Sequence, residues 1–105
     1  MASVGSSILP SPQSNANTVA TIFNLTIVLA NTEQSQALPS NTKEFIFKTR
    51  GNDEVKLAFI SGDSGTLYAT IKKGAVLAVT QFFQAQTLYF QSPTAGAIVE
   101  IIAFT

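Results

Sequence analysis

The chain has 105 residues, no cysteine and no histidine, and its six basic and six acidic side chains cancel. Without imidazole or thiolate it lacks the groups most easily tuned to move a proton, attack a carbonyl or hold a transition metal near neutral pH. We therefore expect no catalytic residue, no cofactor site and no metal site, and not an enzyme. Charged residues make up only 11% of the chain while 46% are hydrophobic, and Arg50 is the sole arginine. Nucleic-acid backbones are bound by lysine and arginine displacing counterions, so no nucleic acid is expected as a partner. A neutral, sparsely charged surface favours association instead.

The length fits one domain, stabilised by apolar burial in the absence of disulfides. Residues 1–17 are mainly Ser, Asn, Pro and small apolar residues, with Pro10 and Pro12 as breakers and no periodicity. We read them as a flexible or extended N-terminal arm, anchored on a neighbour by Val4, Ile8 and Leu9. Residues 18–105 form the folded domain. Met1 to Leu9 has no basic residue ahead of an apolar run, so no secretory signal is expected. Val19–Ala30 is too short and too interrupted, by Asn24 and Thr26, for a membrane helix. No membrane partner is expected, and synthesis is placed in a cytoplasm.

From Thr18 the period becomes two. Phe23, Leu25, Ile27 and Leu29 alternate with Asn24, Thr26 and Val28 in a first strand. The polar stretch Asn31 to Asn41, with Pro39, reads as a break. Phe45 and Phe47 mark a second strand, ended by the turn signal Arg50-Gly51-Asn52-Asp53. Val55, Leu57 and Phe59 are the inner row of a third, and the two are expected to pair as a hairpin. Leu67, Ala69 and Ile71 follow as a fourth strand. Ala75 to Phe83 is a fifth, with Val76, Ala78 and Thr80 on one face and the aromatic pair Phe82-Phe83 at its end. Leu88 and Phe90 mark a sixth before Ser92-Pro93-Thr94-Ala95-Gly96 turns into the last, Ala97 to Phe104.

Short strands joined by Gly or Pro turns indicate an all-β fold, a single antiparallel β-sandwich, jelly-roll-like, with about seven strands. The last strand is unusual. Val99 and Ile101 face one side and Ile98, Ile102 and Phe104 the other, so both faces are apolar, against the one-sided pattern of a solvated antiparallel sheet. Either the strand is central and covered on both sides, or one face is an intersubunit contact.

Apparent motifs carry little chemistry. Gly62-Asp63-Ser64-Gly65 copies the letters around a chymotrypsin-type nucleophile, but no histidine exists to take the serine proton. Asp53 and Glu54 are neighbours and point to opposite faces if extended. Asp53 and Asp63 lie in loops that could offer oxygens to calcium, without EF-hand spacing. Gln86-Thr87-Leu88-Tyr89-Phe90-Gln91-Ser92 resembles the tobacco etch virus protease site, with Gln86 in place of Glu, but a strand pattern continues beyond it.

Ala37-Leu38-Pro39, the Phe45 to Gly51 strand and turn, Lys56-Leu57-Ala58-Phe59, the Ile71 to Gly74 turn, Leu88 to Pro93, and Ala95-Gly96 before Val99-Glu100 together resemble small β-sandwich virion proteins of tailed bacteriophages, over roughly two thirds of the chain. The resemblance implies a capsid cement or decoration protein on the virion surface that binds and stabilises the shell of the major capsid protein. It also implies a homo-oligomer, a trimer favoured over a dimer. Candidate assembly contacts are Val4, Ile8, Leu9, Phe82, Phe83, Ile98, Ile102 and Phe104. The alternative is a tail, collar or head-fibre module with a receptor- or glycan-binding surface drawing on Tyr68, Gln84, Gln86 and Tyr89.

Overall fold

The computed structural model describes residues 19–80 and 86–105, and within them the period-two pattern is realised in eight strands. These are β1 (Ala20–Ile27), β2 (Gln34–Ala37), β3 (Glu44–Arg50), β4 (Val55–Ala58), β5 (Ala69–Ile71), β6 (Val76–Val79), β7 (Thr87–Gln91) and β8 (Ala97–Phe104). A short 3-10 turn, Asp63–Gly65, interrupts the β4–β5 connection.

Two four-stranded antiparallel sheets result, ordered β1-β8-β3-β6 and β2-β7-β4-β5. The pairs β1 with β8, β2 with β7, β3 with β6 and β4 with β5 are nested, so the chain is one long ribbon rolled into two layers. That is the jelly roll of two Greek keys, with eight strands where about seven were expected.

The extra strand is β2. Its sequence, Gln-Ser-Gln-Ala, offers no apolar alternation, and the polar stretch hid it. It is a four-residue edge held to β7 alone, so backbone pairing defines it and a hydrophobic face does not.

The expected hairpin between the Phe45 and Val55 strands does not form. β3 bonds to β8 and β6, β4 to β7 and β5, and the Gly51–Glu54 turn carries the chain from one layer to the other. A reversing turn signal is the same for a hairpin and for an arch between sheets; the difference lies in which neighbours satisfy the ladders. Thr49 Oγ1 donates to the Asp53 carbonyl at 2.9 Å, and Ser92 Oγ donates to the Glu54 carbonyl at 2.7 Å, pinning the arch at both ends.

The core lies between the layers. Phe45, Phe47, Ala97, Val99, Ile101, Ala103 and Ile27 point in from the first sheet, meeting Val55, Leu57, Leu88 and Phe90 from the second, all essentially inaccessible. Phe47 and Phe90 meet edge to face across the sandwich at 5.6 Å between centroids. Register matches small to large: Ala103 lies beside Phe45, giving the bulky ring room at native packing density. The first and last described stretches are tied together, Val19 and Thr105 exchanging both backbone hydrogen bonds. No helix among the described residues is long and apolar enough to cross a membrane.

Candidate assembly surface

β8 answers part of the question its sequence raised. It is central, between β1 and β3, and its inward row Ala97, Val99, Ile101 and Ala103 is buried. Its outward row, Ile98, Glu100, Ile102 and Phe104, is only half-buried, and no further layer of described residues covers it. Strand centrality hides backbone edges; it does not cover a face.

Register converts that row into a surface. Because paired residues share a face, the outer side of β1-β8-β3-β6 carries four cross-strand rows. Ala20, Phe104 and Glu44 form the first, and Ile22, Ile102, Ile46 and Ala78 the second. Asn24, Glu100, Lys48 and Val76 form the third, and Thr26, Ile98 and Arg50 the fourth. The second row is apolar across all four strands, and its outer member Ile22 is 63% exposed. Val76, at the other edge, is also exposed.

Below this aliphatic row sits an ion cluster. Lys48 Nζ donates to Glu100 Oε1 at 2.8 Å and Arg50 Nε to Glu100 Oε2 at 2.9 Å. The hydrogen bond from Lys48, then that from Arg50, holds the Glu100 carboxyl below the usual carboxylate range, so it is ionised at neutral pH. With Glu44 included, two positive and two negative groups share the face.

The opposite outer face differs. Ser35, Thr87, Tyr89, Gln91, Lys56 and Thr70 line the second sheet, with Ala37 and Ala58 among them, so its strands carry mostly polar residues outward, as an antiparallel sheet against solvent should. The Asp63–Gly65 turn folds back against β4 and β7, and Gln91 Nε2 donates to the Ser64 carbonyl at 2.9 Å. The Ser64 of the protease-like tetrapeptide is itself buried and donates its hydroxyl to Glu33 at 2.6 Å, a structural role. Beside this loop an open depression of about 310 Å³ is lined by Leu57, Phe59, Ile60, Asp63, Leu67 and Tyr68. The Lys56 ammonium lies over the Tyr68 ring, 4.9 Å from its centre.

Of the contacts named from sequence, Ile98, Ile102 and Phe104 fall together on the outer face. Val4, Ile8, Leu9, Phe82 and Phe83 lie outside the described residues, as does the arm 1–17. Ile22, Ile46 and Ala78, which complete the aliphatic row, went unnamed. Their one signal is an apolar residue in the polar phase of a strand, as at Ile46 between Glu44 and Lys48. Among the described residues no three His, Cys, Asp or Glu side chains gather as a metal site would need. No protein-family model matches the chain, and no curated protein matches it significantly.

Proposed function

We propose that the protein is a virion structural component, a capsid cement or decoration protein that binds the major capsid protein and stabilises its shell. The observation that carries this reading is the aliphatic row Ile22, Ile102, Ile46 and Ala78, which runs across all four strands on the outer face of the first sheet. Contiguous exposed apolar surface on a small protein is characteristic of an interaction site. Covering it returns roughly 25 cal/mol per Å² of apolar area. Repetition by the symmetry of a shell turns many such contacts into one strong hold.

Charge fits the same role. A face with balanced charges can lie against a neighbour without long-range repulsion, and its Glu100 carboxylate is already paired with Lys48 and Arg50. Electron microscopy of the intact particle tests the reading: density of this domain's size on the shell supports it, and density confined to the tail or absent from the particle overturns it.

The second reading, a tail or head-fibre module that binds a glycan, draws on exposed Tyr68 and the depression beside it. Part of that surface is already engaged within the fold: Lys56 occupies the Tyr68 ring face, and Gln86 Nε2 donates to the carbonyls of Phe59 and Thr87. Binding of the isolated protein to a glycan array would favour this reading over the first.

A further inference from the structure

We infer that the free edge of β1 pairs with β1 of a second copy, antiparallel and about a two-fold axis normal to the sheet, so that two four-stranded sheets run on as one. The inference deepens the assembly reading and rests on it, naming how copies join while the outer face stays open to the shell.

The edge strands of the described fold are not alike. β2 and β6 have four residues and β5 has three, and edges that short offer little ladder to an added strand. β1 has eight, in unbroken register with β8 from Ala20 against Phe104 to Ile27 against Ala97, without proline or bulge. It also lacks charge, and no charged residue occurs from Val19 to Thr32. Charge, proline, bulges and brevity are the means by which sheet proteins keep an edge single, and β1 has none of them.

Hydrogen-bond phase defines what this edge presents. Val19 and Thr105 exchange both backbone bonds and the Ile27 carbonyl accepts from Gly96, so the odd residues of β1 bond toward β8. The N–H and C=O groups of Ala20, Ile22, Asn24 and Thr26 therefore point away from the sheet, and β1 pairs with no other described strand. The surroundings are apolar. Val19, Ile22, Val28 and Leu29 are exposed, and Phe23 and Leu25, from the inner row, are only partly buried where the sandwich ends.

A second β1 meets these requirements in every register. The outward ladder groups belong to even residues, so an antiparallel copy sets even residues against even and odd against odd. A two-fold axis normal to the sheet keeps inner faces inner, so Phe23 and Leu25 of each copy lie beside the inner row of the other and extend its core. No register sets a charge of one strand against the other. A foreign strand would need the same length, neutrality and pleat; among the described strands only β1 offers a free edge with all three, and each copy covers the half-open row of the other. The pairing closes as a dimer, where the sequence suggested a trimer. Its two outer faces lie side by side, which doubles the surface that a shell can hold.

Amide exchange read residue by residue tests this without any shell, so edge pairing and shell attachment can fail independently. Light scattering at about 100 μM, where a contact of micromolar affinity is saturated, should give wild-type protein twice the 11.1 kDa chain mass. At the same concentration the Ile22, Asn24 and Thr26 amides should be protected along with those of Phe23 and Leu25, whereas a single β1 edge protects the odd positions alone. Asn24→Pro removes an N–H that no bond within the described fold uses, and proline is tolerated on a free edge. This variant should keep its circular dichroism and lose the dimer mass. A monomeric wild type, a dimer whose Ile22, Asn24 and Thr26 amides exchange freely, or a folded Asn24→Pro protein that keeps the dimer mass would each overturn the inference.

Discussion

Glu33 and Ser64, thirty-one residues apart, are locked together: the Glu33 carboxylate accepts from the Ser64 hydroxyl at 2.6 Å and from the Ser64 N–H at 3.1 Å, with Gly62 N–H adding a third bond at 2.9 Å. This clamp fixes the β4–β5 connection against the second sheet and explains a buried serine in a loop. The Ser64 hydroxyl is the main cause of a Glu33 pKa held below the usual carboxylate range, opposed in part by burial.

Glu33→Ala should therefore cost about 2 kcal/mol of stability at pH 7, the scale of hydrogen bonds to a charged acceptor that leave buried donors unmet. The sign of the pH dependence follows from the depressed folded-state pKa. The contribution is complete above the unfolded carboxylate value of roughly 4.3 and disappears as pH falls through the lower folded value. Urea unfolding at pH 7 and pH 3 should show wild type and variant converging at the lower pH. An undiminished gap at pH 3 would show that ionisation of Glu33 is irrelevant to the clamp.

The Phe47–Phe90 contact joins the two layers at the middle of the core. Phe47→Ala should lose about 3 to 5 kcal/mol through lost burial and a residual cavity. Chemical denaturation reads this directly, and a loss below about 1 kcal/mol would mean that the sheets do not pack through this pair.

Ser92 is fully buried where the chain turns into β8; its hydroxyl donates to the Glu54 carbonyl and accepts from the Thr94 N–H at 3.1 Å. Ser92→Ala strands both groups, and about 1 to 3 kcal/mol of destabilisation is expected. Measuring it together with Thr49→Ala, at the other end of the arch, distinguishes a pinned crossing from a slack one: two near-neutral variants would mean a slack arch.

The segment Gln86–Ser92 offers a probe of local opening. β7 is flanked by β2 and β4, Gln91 is bonded to Ser64, and Ser92 is buried. Tobacco etch virus protease needs its site extended and free, so folded protein should resist it while the Phe47→Ala variant is cut faster, in proportion to its larger open population. Equal cleavage of both, followed by mass spectrometry, would place β7 outside the cooperative core.

Much of the fold was legible because burial imposes its period on sequence. Phe45 and Phe47, Val55 and Leu57, Leu88 and Phe90, and Val99 and Ile101 all alternate, and all point inward. Gln34–Ala37 was illegible because an edge strand held by one ladder needs no apolar side chain. The β3–β4 arch was misread as a hairpin because turn residues encode reversal and not the identity of the hydrogen-bonding partner. Phe59 breaks its expected inner row by leaving the strand; it is 42% exposed and only edges onto Phe45 at 6.5 Å. The outer surface was legible on one strand alone. Ile98, Ile102 and Phe104 stood out on β8, but their continuation to Ile22 and Ile46 depends on cross-strand register, which no single strand carries.

The absence of cysteine makes the central proposal, that the outer face of the first sheet is covered in the assembled protein, directly measurable. A single thiol placed by Ile102→Cys reports on that face, and one placed by Tyr89→Cys reports on the outer face of the second sheet. Maleimide labelling should slow sharply at position 102 on going from free protein to protein bound on the shell, while position 89 keeps its rate. Unchanged labelling at 102, or equal protection at both positions, would contradict the assignment of this face as the one that is covered.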